Sequence, residues 1–359
     1  LWKSDGTASG TMMVKDINTG SGDGIDFNSI TGPSMTAAGT TLYFAANDGT
    51  NGIELWKSDG TAIGTMMVKD INSGSSGSSP YYLTAIGTTL YFQANDGTNG
   101  DELWKSDGTA NGTVMVKDIN NGSFSGNPYQ LTAFGNTLYF TANDGTNGYE
   151  LWKSDGTANG TMMVKDINNG SGSSSLNYLT VFGNTLYFRA NDGTNGTELW
   201  KSDGTANGTM MVKDINNGSV GSYPSYLTVV GNTLYFTAED ATNGSELRKS
   251  DGTANGTMMV KDINNGSASS YVYGFTAVGN TVYFSASDVT NGHELWKSDG
   301  TANGTMMVKD INSGSGSSVS QFFTAVGNTL YFQADDGYNG VELWKSDGTA
   351  NGTLLVKDI

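Results

Sequence analysis

Cysteine is absent from the 359 residues, which excludes disulfides, thiolate metal sites and cysteine nucleophiles together. Proline occurs only 4 times against 51 glycines, a pairing that points to many tight turns rather than to collagen or a Pro-rich linker. No apolar run approaches the ~18 residues of a transmembrane helix. Positive charge is scarce, with 18 Lys and Arg against 35 Asp and Glu and a net charge of −17. That balance argues against nucleic acid and anionic membrane as partners, while it favours solubility and allows cation binding. Helical apolar spacing is missing too, which excludes helical repeats. What the chain does have is aromatic residues, 11% of the total within a modest 36% hydrophobic content. Disordered chains are poor in such residues, so the composition is that of a folded protein with an aromatic-rich core.

The string LWKSDGT begins at Leu1, Leu55, Leu103, Leu151, Leu199, Leu295 and Leu343, with the variant LRKSDGT at Leu247. After one longer first interval, the spacing is 48 residues throughout. A fixed period of this length signals solenoids, propellers or arrays. Residues 120–167 show the layout of one unit. Tyr129 to Phe134 reads as a first strand, closed by the two-residue turn Gly135-Asn136. Thr137 to Ala142 is rich in β-formers and reads as the second. Asp144 to Gly148 turns the chain, Glu150 to Lys153 makes the third strand, Ser154 to Gly160 turns again, and Thr161 to Ile167 makes the fourth. A longer Ser-, Gly- and Asn-rich connector follows.

Three short reversals and one longer crossing describe an antiparallel four-stranded meander in series, the blade of an all-β propeller. A parallel β-helix is the alternative, but its coils do not reverse three times per repeat. Bulk on both faces of the second strand, Leu138 and Phe140 against Tyr139, fits a blade packed between two neighbours. The reading gives seven blades of four strands, over about 18–71, 72–119, 120–167, 168–215, 216–263, 264–311 and 312–359, after a partial blade at 1–17. Eight blades remain open if the missing strands of the partial blade come from elsewhere. The first residue falls inside a motif, so the chain reads as a segment of something longer. The surplus hairpin, residues 1–17, is expected to reach a neighbouring copy and support head-to-tail assembly.

Glu-Leu-Trp-Lys-Ser-Asp-Gly-Thr, followed by Gly-Thr, Val-Lys-Asp-Ile-Asn and Leu-Tyr-Phe, resembles the bacterial ELWxxDGT repeat proteins, and the resemblance covers essentially the whole chain. It implies a large secreted or surface-attached propeller-like protein, hence an extracellular or cell-surface location, and it implies no known catalytic activity.

Each of the seven full units carries a net charge of −2, so all but −3 of the total is repetition. A catalytic centre is singular, so its residues should interrupt the repeat. The interruptions are Asp23, Asp26, Phe27, Asp101, Tyr149, Arg189, Glu239, Arg248, His293, Asp335 and Tyr338. They are scattered over different units with no paired-carboxylate or triad logic, so no catalytic residue is assigned. His293 reads as a solvated loop position, and Arg248 as drift at a Trp position. The Asp-Gly-Thr-Asn-Gly turns offer calcium candidates: Asp96, Asn99 and Glu102; Asp144, Asn147 and Glu150; Asp192, Asn195 and Glu198. Against them stands the ordinary Asx-turn role of Asp and Asn, and no cofactor is expected beyond that open question. Trp56, Trp104, Trp152, Trp200, Trp296 and Trp344 are expected to be buried between blades rather than exposed as sugar platforms. The function expected is a non-catalytic structural or adhesive propeller that self-associates into arrays or filaments. The alternatives are a carbohydrate- or calcium-binding module and, last, a glycosidase-like enzyme; glycans are thus candidate partners.

Overall fold

Alternation of β-branched and aromatic residues with small and polar ones, broken at each Gly-Asn or Asp-Gly turn, gives strands of four to eight residues in every blade. The structure, a computed structural model, describes residues 1–25 and 35–359. Among these, every regular element is a strand, and no helix is long and apolar enough to cross a membrane. The strands form seven four-stranded antiparallel sheets, each in chain order, and one two-stranded hairpin. The fold is therefore the β-propeller of four-stranded blades that the repeat requires.

Blade 3 consists of Tyr129–Phe134, Thr137–Asn143, Tyr149–Ser154 and Met162–Lys165. Blade 1 opens with Met35–Ala38 and blade 7 closes with Leu354–Lys357. The leading hairpin pairs Trp2–Lys3 with Met12–Met13. The first turn is the expected two-residue one, because Phe134 faces Thr137 and Gly135 takes φ +59°. The fourth strand is shorter than the sequence suggests. It stops at Lys165 because the Ile167 N–H leaves the ladder and donates to the Glu150 carboxylate at 2.9 Å.

Two bulges recur. One lies between the third and fourth strands, at Leu151/Trp152 in blade 3. The other interrupts the first strand, between Tyr129 and Thr132, where Gln130 adopts φ +55°. The same left-handed position holds Tyr82, Tyr178, Tyr226 and Phe322 in other blades.

The chain divides into two compact units, residues 1–176 with 204–206, and 177–203 with 207–359. In the first, Tyr43, Leu55, Val68 and Ile71 of blade 1 pack against Leu90, Phe92, Ala94 and Trp104 of blade 2. In the second, Tyr235, Leu247, Val260 and Ile263 of blade 5 pack in the same way against Val282, Phe284, Ala286 and Trp296 of blade 6. Each core thus lies between consecutive sheets. Every such Leu or Phe taken fully out of water contributes about 1.5–3 kcal/mol. The leading hairpin occupies the place of a preceding blade. Its Ile17 packs on Phe44, Ala46 and Trp56, and Lys15 Nζ donates to the Thr65 carbonyl at 2.7 Å. One face of residues 1–17 therefore rests on blade 1 of its own chain.

Candidate functional site

The Ser-Asp-Gly-Thr turns are saturated by their own chain. Asp155 Oδ1 accepts from Thr157 N–H at 2.8 Å and Thr157 Oγ1 at 2.7 Å. Ser154 Oγ takes the Gly156 N–H and meets Thr161 Oγ1 at 2.7 Å. The Thr157 hydroxyl bond, with its N–H, holds the Asp155 carboxyl below its ordinary range. The motif lysines face the next blade: Lys57 Nζ donates to the Gly108 carbonyl, and Lys69 Nζ donates to that of Thr113 while lying 5.7 Å from the Trp104 ring centroid. The motif Trp of each four-stranded blade, Trp56, Trp104, Trp152, Trp200, Trp296 and Trp344, is buried at 5–6% exposure. Where Arg248 replaces Trp, the side chain stays buried, donating to the Ala238 carbonyl at 3.1 Å and pairing with Asp240.

The calcium candidates separate. Asp144 receives the Thr146 and Asn147 N–H groups on one oxygen and Asn147 Nδ2 on the other, at 2.8–2.9 Å. Burial would raise this carboxyl, but those bonds hold it low. Glu150 does not join them. It is fully buried and accepts from Ile167 and Ser174 N–H, each at 2.9 Å, at the entrance to the crossing connector. Asp96, Asn99 and Glu102 repeat this division, with Glu102 taking Ile119, Asn120 and Gly126 N–H; so do Asp192, Asn195 and Glu198, with Glu198 taking Ile215, Asn216 and Ser222 N–H. Burial outweighs these donors and pushes Glu102 and Glu150 up to about 7. Among the described residues no group of three His, Cys, Asp or Glu side chains could hold a metal ion. The Glu therefore anchors the connector, a role that sequence spacing concealed.

Several interruptions of the repeat meet aromatic rings on the first strands. In the first unit Tyr149 lies edge-on to Tyr129 at 5.7 Å, and its hydroxyl accepts from Asn127 Nδ2. In the second, the Arg189 guanidinium stands 5.0 Å from the Tyr178 centroid and donates to Ser225 Oγ at 3.1 Å. Tyr178 is 6.0 Å from Tyr226. The Tyr226 hydroxyl is raised first by burial and then by those of Tyr178 and Tyr273. Tyr273 and Tyr271 lie 5.7 and 6.2 Å from the His293 ring, so His293 is packed between tyrosines rather than free in a loop. Its burial lowers its pKa.

The remaining interruptions stay local. Asp101 accepts from Ser125 Oγ, Asp335 from Gly337 N–H, and the Asp23 carbonyl from Asn18 Nδ2. Glu239 donates its N–H to the Ser222 carbonyl, and Tyr338 is exposed. Asp26 and Phe27 lie outside the described residues. The row from Arg189 to His293 went unseen in the sequence, though one signal was there: Gly274 shares a register with Tyr82, Tyr178, Tyr226 and Phe322, which marks a left-handed position.

No protein-family model and no curated protein matches the chain. Solved structures do. The computationally designed Ika8 protein is similar over 94% of this chain and 90% of its own, at 16% identity and a TM-score of 0.51. Oligopeptidase B from Leishmania major is similar over 90% of this chain, at 10% identity and a TM-score of 0.52. Prolyl oligopeptidase B from Galerina marginata is similar over 91%, at 11% identity and a TM-score of 0.51. The chain covers 48% and 50% of those two proteins, about half their length. At such identities the likeness is one of fold, and the fold shared with the oligopeptidases is the β-propeller.

Proposed function

We propose that this chain is a non-catalytic extracellular scaffold that associates head to tail with further copies of itself. The observation that carries the reading is a pair of uncovered blade faces. At the junctions inside each unit, the face bearing the motif Leu is sealed by the following blade, so that Leu295 of blade 6 is 0% exposed. Its equivalent in blade 7, Leu343, is 43% exposed, and Val326, Val356 and Ile359 are exposed around it. The complementary face of the leading hairpin is open as well: Trp2 is 66% exposed, where Trp56 is 6% exposed. Both faces carry the residues that bind each other elsewhere in the chain, so what fits each is a further blade of the same repeat, and in this reading another copy supplies it. Exposed apolar sheet faces of this kind recruit partners. The extracellular placement rests on the resemblance to the ELWxxDGT repeat proteins.

Sedimentation velocity over a concentration series tests the association. The full chain is expected to form species larger than the monomer, and Leu343→Asp, at an exposed site, is expected to abolish them without lowering the melting temperature. A monomer at every concentration would overturn the reading.

A further inference from the structure

Two exposed rings on the first strands of the second unit, Tyr226 and Phe322, gain little stability from burial. An L-residue in the left-handed region costs about 1–2 kcal/mol, which glycine avoids. Core rings repay such costs by burial, but Tyr226 at φ +57° is 45% exposed, and Phe322 at φ +53° is exposed too. Gly274 occupies the same register at φ +73°, so the fold accepts glycine there. The chain thus holds rings in strained, solvent-facing positions where a smaller residue would serve the backbone better. Strain of this kind collects at ligand-binding surfaces, and bulges re-aim side chains toward them.

Two residues that break the repeat stand in the same row. Arg189 replaces the Ala, Gln, Thr or Ser of other blades, and His293 replaces Ile, Asp, Tyr, Thr, Ser or Val. Each keeps a buried nitrogen without a hydrogen-bond partner, Arg189 Nε and His293 Nδ1, a condition that costs free energy unless a ligand or water completes it. Among the described residues the one ion pair found joins Arg248 to Asp240, and Arg189 has none.

We propose that the row formed by Arg189, Tyr178, Tyr226, Tyr273, His293 and Tyr271 binds a neutral oligosaccharide of pyranose units. Tyrosine rings offer flat apolar faces for the C–H faces of the sugars and hydroxyls for their edges. The guanidinium and imidazole supply nitrogen donors and acceptors for sugar hydroxyls. A net charge of −17 repels polyanionic glycans and leaves uncharged ones unaffected. This site does not depend on head-to-tail association.

The test is calorimetry of the full chain with hexamers of β-1,4-linked glucose, xylose, mannose and N-acetylglucosamine, and with a uronate hexamer as the charged comparison. At least one neutral hexamer is expected to bind. Tyr226→Gly is expected to weaken it tenfold or more while the melting temperature holds or rises, because the glycine relieves the left-handed strain. Arg189→Gln is expected to weaken it as well, and Tyr338→Ala, at an exposed turn, to leave it unchanged. Absence of neutral binding, binding of the uronate alone, or full affinity in Tyr226→Gly would each overturn the proposal.

Discussion

Replacing Trp152 by alanine opens the junction between blades 2 and 3. The indole is 5% exposed and packs among Tyr91, Leu103, Val116, Ile119, Leu138 and Phe140. Deleting a core aromatic of this kind costs about 3–5 kcal/mol. The Lys117 ammonium, 5.8 Å from the ring centroid, adds on the order of 0.5–1 kcal/mol. One term has the opposite sign. The indole Nε1 is buried without a hydrogen-bond partner, and leaving such a donor unsatisfied costs about 1–3 kcal/mol. Trp152→Phe removes that donor and keeps most of the buried area, so it should cost only about 1–2 kcal/mol. The assay is urea unfolding followed by circular dichroism, comparing both variants with the parent chain. A cost below about 1 kcal/mol for alanine, or equal costs for the two variants, would refute the packing role.

Stability should fall as pH rises from 5 to 8 in thermal melts. Burial lifts Glu102, Glu150, Glu246 and Glu294 from 4.5 to about 7 in the folded chain, so their contribution is complete below 4.5 and is lost as pH climbs through 7. A flat or rising profile over that window would contradict this. Below pH 4 the trend should reverse, because Asp155 and its equivalents are held low by threonine and their contribution disappears on protonation. Gly156→Ala should cost more than Gly170→Ala in urea unfolding: both glycines have φ near +90°, but only at Gly156 would the new methyl strike the Tyr91 hydroxyl. Chelation by EDTA should leave the melting temperature unchanged, since Asp144 already receives three internal bonds and Glu150 is committed to the connector.

The blades were legible because period, turn chemistry and alternation all reported the same backbone. Gly135-Asn136 and Leu138-Tyr139-Phe140 each fix local geometry, and the structure places them as read. Burial of the motif Trp followed from its recurrence at a strand centre. The glutamates were misread for the opposite reason. Glu150 lies six residues after Asp144, but its partners are 17 and 24 residues further on, in a connector with no periodic signal. Proximity along a hairpin suggested a shared site that the strand direction divides. The first-strand bulge was hidden because Tyr129 to Phe134 alternates like any strand, and left-handed φ at a tyrosine has no composition signal. Arg189 and His293 looked scattered because they are about two blades apart in sequence. Stacked first strands bring their tyrosine neighbours into one row within the second unit.

The most direct test of the scaffold reading is a zero-length carbodiimide cross-link between two isotopically distinct preparations of the chain. Inside the chain the Lys of LWKSDGT lies near the next blade's motif Asp: Asp107, Asp155 and Asp251 are held low first by their threonines and, least, by Lys57, Lys105 and Lys201 of the preceding blade. Head-to-tail pairing of blade 7 with a second copy's leading hairpin places Lys345 beside Asp5 in the same way. The account predicts a Lys345–Asp5 peptide that joins heavy and light chains and disappears in Leu343→Asp. A Lys345–Asp5 peptide found only within single-isotope chains, or none at all, would contradict it.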